Sequence, residues 1–190
     1  VKAKKKLRRK YRQQLEQLLK RKITNLPHRS PVIESYRAIR SNIRYASLNG
    51  DIGAVKTVLI TSSLPGEGKS LTATNLAITF ARSGVKTALV DCDLHRPKIH
   101  YMFNIEKSPG VSEFLTDQVE GSSIEEKVSK ILREADVENL YVIPSGDLPP
   151  NPGDLLASDK IDKLIEYLKS KFEMVIFDSP PLGVVSDTSV

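Results

Sequence analysis

Three short stretches carry residue types that could do chemistry on a phosphate. The first is Ser63–Leu71, SLPGEGKSL, which follows the apolar run Val58-Leu59-Ile60. A buried strand, a turn with Pro65, Gly66, Glu67 and Gly68, then Lys69-Ser70 opening a helix is the layout of a phosphate-cradling loop. The glycines let backbone amides approach phosphate oxygens. The helix N-terminus adds partial positive charge. Lys69 is placed to reach β- and γ-phosphates, and the Ser70 hydroxyl to bind Mg²⁺. The strict pattern opens with glycine, whereas this chain has Ser63. The second stretch, Thr87–Asp93, puts Asp91 and Asp93 at the end of another apolar run. The third, Met174–Asp178, ends four apolar residues on Asp178, as a Walker B aspartate does. A Mg²⁺-nucleotide calls for a hydroxyl and one or two carboxylates around the metal. Singly, Asp91 and Asp178 could equally cap strand ends.

The elements that must position these groups alternate. Strands are expected near residues 58–60, 87–91, 140–143 and 174–177. Helices are expected from Ser70 to about Arg82, closed by Gly84, and over 159–171, with helical pieces at 110–116 and 124–132. Pro149-Pro-Asn-Pro152 reads as an extended loop. This alternation predicts an α/β fold with a doubly wound, mostly parallel sheet, in which ligands bind outside the carboxyl ends of the strands.

Ahead of that domain, residues 2–26 contain no Gly or Pro, and Leu7, Tyr11, Leu15 and Leu18 recur at helical spacing. Residues 1–30 hold twelve Lys and Arg against one acid, Glu16, within a net charge of +6. The remainder is therefore mildly acidic, which argues against a nucleic-acid-binding domain. The basic helical arm reads either as a solvated tail or as a segment drawn to anionic lipid. A second helix is expected from Pro31 to about Ser47, ended by Asn49-Gly-Asp, with Val32, Tyr36, Ile39 and Ile43 facing the core and Glu34, Arg37 and Arg40 on a flank. The boundary between arm and domain falls at 30/31. No apolar run approaches the roughly 18 residues of a membrane span. The single cysteine, Cys92, excludes an intrachain disulfide and fits a reducing compartment.

Taken in order, these motifs make the chain resemble the bacterial tyrosine kinases of capsule and exopolysaccharide production. Glu34-x-x-Arg37-x-x-Arg40 is similar to that family's oligomerisation motif. Ser63–Ser70 is similar to its Walker A, Ala88–Asp93 to its extra Walker A′, and Val175–Asp178 with Pro180-Pro181 to its Walker B. The likeness covers about residues 30–190. It implies ATP-dependent phosphorylation of protein tyrosines with ATP/ADP and Mg²⁺. Lys69 would hold phosphates, Ser70, Asp93 and Asp178 would organise the metal, and Asp91 would orient or deprotonate the tyrosine hydroxyl. It also implies a homo-oligomeric ring, a membrane chain-length regulator fused upstream or separate, a cognate phosphatase, and a place at the cytoplasmic face of the bacterial plasma membrane, with basic residues 2–22 toward the lipid. Two departures stand out. His95 replaces the usual A′ arginine, with Arg96 one step on. The family's domain also continues past its Walker B into a tyrosine-bearing tail, so the sequence reads as truncated at Val190. Two rivals keep the same fold: a non-catalytic nucleotide-binding module gating polysaccharide assembly, and a partition or septum ATPase. The latter carries a second lysine where this chain has Leu64.

Overall fold

The computed structural model describes residue 13 and residues 16–48 and 55–182. Leu7, Tyr11 and Leu15 of the arm, the Asn49-Gly-Asp stop and the stretch after Leu182 lie outside the described residues. Residues 16–21 are helical (α1) and lead through a short 3-10 turn, Ile23–Asn25, into α2, Pro31–Leu48. Then follow β1 (Thr57–Ile60), α3 (Lys69–Ala81), β2 (Thr87–Asp91), α4 (Ile99–Phe103), α5 (Val111–Leu115), α6 (Ile124–Ile131), β3 (Arg133–Glu134), β4 (Leu140–Ile143), α7 (Pro152–Leu156), α8 (Asp159–Lys171) and β5 (Met174–Asp178).

The sheet order is β1-β5-β2-β4-β3, with every pairing parallel except the edge pair β3–β4. Side chains alternate across a strand, and the central strands supply two cores. Leu89, Met174 and Ile176 face α3 and α4 on one side. Ala88, Val90, Val175 and Phe177 face α5, α6 and α8 on the other. Helices on both faces explain why these strands are near-continuous apolar runs. The expected doubly wound sheet is therefore present.

One local expectation is corrected and another holds in part. The stripe by which α2 packs on α3 is Ile33, Tyr36, Arg40 and Ile43, not Val32, Tyr36, Ile39 and Ile43. Val32 and Ile39 are 45% and 42% exposed, whereas Ile33 is 5% exposed. Arg40 takes a half-buried position on that side, donating from a guanidinium nitrogen to the Thr79 carbonyl at 3.2 Å. The proline run is a loop as far as Asn151 and gives way to a helix at its last residue. Pro152 occupies the first turn of α7, where its missing amide hydrogen costs nothing.

The arm does not stop at residue 30 in packing terms. Ile23 is 2% exposed and joins the core beside α3, and Lys22 is buried as well. Lys22 is therefore not among the basic residues open to a lipid surface. Among the described residues, no helix is long and apolar enough to cross a membrane.

Candidate active site

Parallel register sets the site. Ile60 aligns with Asp178, and Asp178 with Asp91, so β1, β5 and β2 end side by side. The loop after β1 runs over residues 61–68. Gly66 and Gly68 have φ of +93° and +96°, a region that side chains with a Cβ rarely enter. Gly68 is the N-cap of α3 and offers no side chain to its first amides, so these stay available to an anion. The loop is pinned from inside and from its neighbour. Glu67 Oε2 accepts from the Leu64 amide at 3.0 Å, and Thr61 Oγ1 donates to the Pro180 carbonyl at 3.1 Å. The Leu182 amide donates to the Ser62 carbonyl at 2.9 Å.

At the floor, Lys69 turns back into the carboxylates. Its ammonium lies 2.5 Å from Asp93 Oδ2, 3.4 Å from Asp178 Oδ1 and 3.4 Å from Ser70 Oγ. Burial lowers the Lys69 pKa, but Asp178 and Asp93 outweigh it and hold the group above its ordinary value. Burial pushes Asp178 up to about 6, against the pull of Lys69 and the Ser70 hydroxyl. Asp178 Oδ2 is buried with no hydrogen-bond partner. A buried carboxylate oxygen left unpaired is costly unless something positive completes it.

The donors present fit a hard divalent cation: one hydroxyl from Ser70 and carboxylate oxygens from Asp93 and Asp178, including the orphaned one. Among the described residues, no group of three or more His, Cys, Asp or Glu is arranged to hold a metal unaided. A nucleotide's phosphates would supply the remaining oxygens.

Asp91 sits apart from this seat. It is fully buried, and its two oxygens accept from the amides of Asp93 and Ile99, both at 3.2 Å. Burial raises its pKa well above the carboxylate range, and Asp178 adds to the shift while the Ile99 amide opposes it. The arrangement ties the 93–99 loop to the end of β2. Asp93 Oδ1 accepts the Arg96 amide at 3.0 Å, closing the same loop. His95 and Arg96 both line the cleft above Lys69, so a cation stands near the usual A′ arginine position. Burial raises the Cys92 thiol pKa further, aided by Asp91, and makes it an inert core group.

The cleft holds about 620 Å³ and takes in Pro65, Gly66, Gly68, Lys69, Ser70 and Leu71 of the loop. Ser63 and Glu67 belong to the loop but not to that lining. Glu34, Arg37 and Arg40 lie on α2, away from it. Glu34 and Arg37 form an exposed pair at 2.6 Å. Sequence reasoning did not place Gln17, Leu18 and Arg21 at the cleft, although all three line it. No local pattern in α1 marks them, because their position depends on contacts with α3 and α4.

Comparison with known proteins gives consistent findings. A family profile described as an AAA domain matches residues 55–190. Tyrosine-protein kinase YwqD of Bacillus subtilis is 41% identical over 157 residues, 83% of this chain and 62% of that protein. The putative tyrosine-protein kinase CapB of Staphylococcus aureus is 34% identical over 162 residues, 85% of this chain and 67% of that protein. The crystal structure of the chimerical protein CapA2B2 superposes with a TM-score of 0.76 at 36% identity, covering 88% of this chain and 69% of that one. The chain thus spans about two thirds of the length of the relatives it matches.

Proposed function

This chain belongs to the bacterial tyrosine kinase family of P-loop proteins, and from that premise we propose that it transfers the γ-phosphate of ATP to protein tyrosines in the control of capsule or exopolysaccharide production. The observation that carries the reading is the convergence of Lys69, Ser70, Asp93 and Asp178 at three adjacent strand ends beneath one phosphate loop.

In this reading the loop amides and the N-terminus of α3 cradle the phosphates. Lys69 leaves Asp93 and Asp178 and donates to the β- and γ-phosphate oxygens. Ser70, Asp93 and Asp178 would hold Mg²⁺, which would supply charge neutralisation at the phosphates. Asp91 keeps the A′ loop closed through the amides of Asp93 and Ile99. It reaches an acceptor hydroxyl only when that loop releases its carboxylate, which then stands as a positioned proton acceptor.

The exposed Glu34–Arg37 pair belongs to an interface between copies of the chain, where Arg forks bind carboxylates bidentately. Repeated head to tail, such a contact closes into a ring. Upstream basic residues face the anionic cytoplasmic leaflet beneath the ring, next to a membrane chain-length regulator, and a tyrosine phosphatase reverses the modification.

Calorimetric titration with Mg²⁺-ATP tests the foundation of this reading. The wild-type protein binds, and Lys69→Met weakens binding by roughly ten- to a hundredfold, the value of a charge-assisted hydrogen bond. Equal affinities would remove Lys69 from the phosphate site.

A further inference from the structure

The segment ahead of α2 is held on the domain by a two-point backbone clamp. Asn75 of α3, itself 1% exposed, accepts from the Ile23 amide through Oδ1 at 3.0 Å and donates through Nδ2 to the Arg21 carbonyl at 3.2 Å. Between these two contacts the Lys22 side chain turns inward. Its ammonium donates to the Met102 carbonyl at 2.8 Å and lies 4.1 Å from the centre of the Phe103 ring. Burial lowers the Lys22 pKa, and the Asp136 carboxylate opposes that shift. A buried amide clamp, a buried ammonium and a buried isoleucine fix residues 21–23 at one place on α3 and α4.

That place decides where α1 lies. Arg21 is a surface neighbour of Gln17 at i, i+4 and of Leu18 at i, i+3 on this helix. All three line the phosphate-loop cleft, together with Pro65 and Gly66. Arg21 is an exposed side chain on a fixed backbone. Around it the lining contributes Lys69, Arg96 and Lys98 against one carboxylate, Asp93. Asp93 and Lys69 are paired with each other, so the surplus is carried by Arg96 and Lys98 together with Arg21. A concave surface with this surplus of positive charge concentrates multiply charged anions.

We propose that α1 forms a wall of the nucleotide site and that Arg21 is a phosphate-binding residue, its guanidinium directed at the terminal phosphates of a bound triphosphate. This rests on the nucleotide reading above and extends it to a segment that the phosphate-loop motif does not include. The guanidinium fork suits phosphate oxygens better than a lysine would. Asn75 is the positioning residue that keeps Arg21 at the cleft.

Competition against a fluorescent ATP analogue, with Mg²⁺ present, compares ATP, ADP and AMP for the wild type, Arg21→Ala, Arg21→Lys and Asn75→Ala. Arg21→Ala weakens ATP by about tenfold, ADP by less, and leaves AMP unchanged. Arg21→Lys recovers part of the loss. Asn75→Ala, which leaves Arg21 in the sequence but releases its backbone, shows the same selectivity for ATP. Arg21 is exposed, so its variants keep the wild-type melting temperature and carry the test if Asn75→Ala fails to fold. An Arg21→Ala protein that binds ATP like the wild type, or that loses all three nucleotides equally, overturns the assignment of Arg21. A wild-type protein that binds none of them overturns the nucleotide reading itself.

Discussion

The Lys69 ammonium and the Asp93 carboxylate form a buried ion pair at 2.5 Å, with Asp178 and Ser70 completing the ammonium's surroundings. The lysine that should grip phosphate thus stands among the three side chains suited to a divalent cation. A cation and the ammonium cannot share that seat, because like charges at such separations repel strongly in a desolvated site. Metal alone would therefore bind poorly while Lys69 occupies the seat. Electron paramagnetic resonance of Mn²⁺ without nucleotide checks this. Lys69→Met binds Mn²⁺ at least about tenfold more tightly than the wild type, and equal binding would show that Lys69 does not guard the seat.

Asp91 is predicted to separate binding from transfer. Asp91→Asn keeps only one of the two amide contacts that hold the loop bearing Asp93, so Mg²⁺-ATP affinity falls by no more than about tenfold, the value of a single hydrogen bond. Phosphotransfer falls by about a hundredfold or more, within the usual range for a positioned proton acceptor. Equal losses in calorimetry and in transfer would show that Asp91 serves only to shape the loop.

The ring is predicted to depend on Arg37 more cleanly than on Arg40. Arg40 donates to the Thr79 carbonyl within its own domain, so Arg40→Ala disturbs folding as well as assembly. Arg37→Glu places like charges beside Glu34 and lowers the mass seen by light scattering to that of a monomer. An assembled Arg37→Glu protein, or a wild type that stays monomeric at high concentration, would refute the ring.

His100 gives a pH prediction with a definite sign. It is 6% exposed on α4, its Nδ1 has no hydrogen-bond partner, and its ring centre lies 3.9 Å from that of Tyr101. Burial, with Lys107 adding to it, lowers its pKa from 6.5 to about 4. Between those values the unfolded chain binds a proton that the folded protein does not. Stability is therefore unaffected by His100 above pH 6.5 and falls as pH drops from 6.5 toward 4. Urea midpoints at pH 7 and pH 5 differ less in His100→Gln than in the wild type. An unchanged difference would assign the acid sensitivity elsewhere.

The parts of the site legible in the sequence were those that sit next to each other in the chain. The apolar runs ending at Ile60, Asp91 and Asp178 become adjacent parallel strands, and Gly66, Gly68, Lys69 and Ser70 follow the first of them directly. What stayed hidden depends on long-range contacts. Arg40 reads as a flank residue by type, yet it bonds to the Thr79 carbonyl and stands half-buried on the packed side where Ile39 was expected. Asn75 carries no motif, and only the fold shows that it grips the backbone of Arg21 and Ile23. The two-residue strand β3 is too short to leave a period-2 signal.

The central claim is that these strand ends pass phosphate to tyrosine and not to water. Incubation of the protein with γ-labelled ATP, Mg²⁺ and a separate tyrosine-rich polypeptide, followed by identification of the labelled amino acid and of released phosphate, tests it most directly. The account predicts label on tyrosine in the wild type and its loss in Lys69→Met. Bound ATP with all label released as inorganic phosphate would contradict it and make the protein an ATPase.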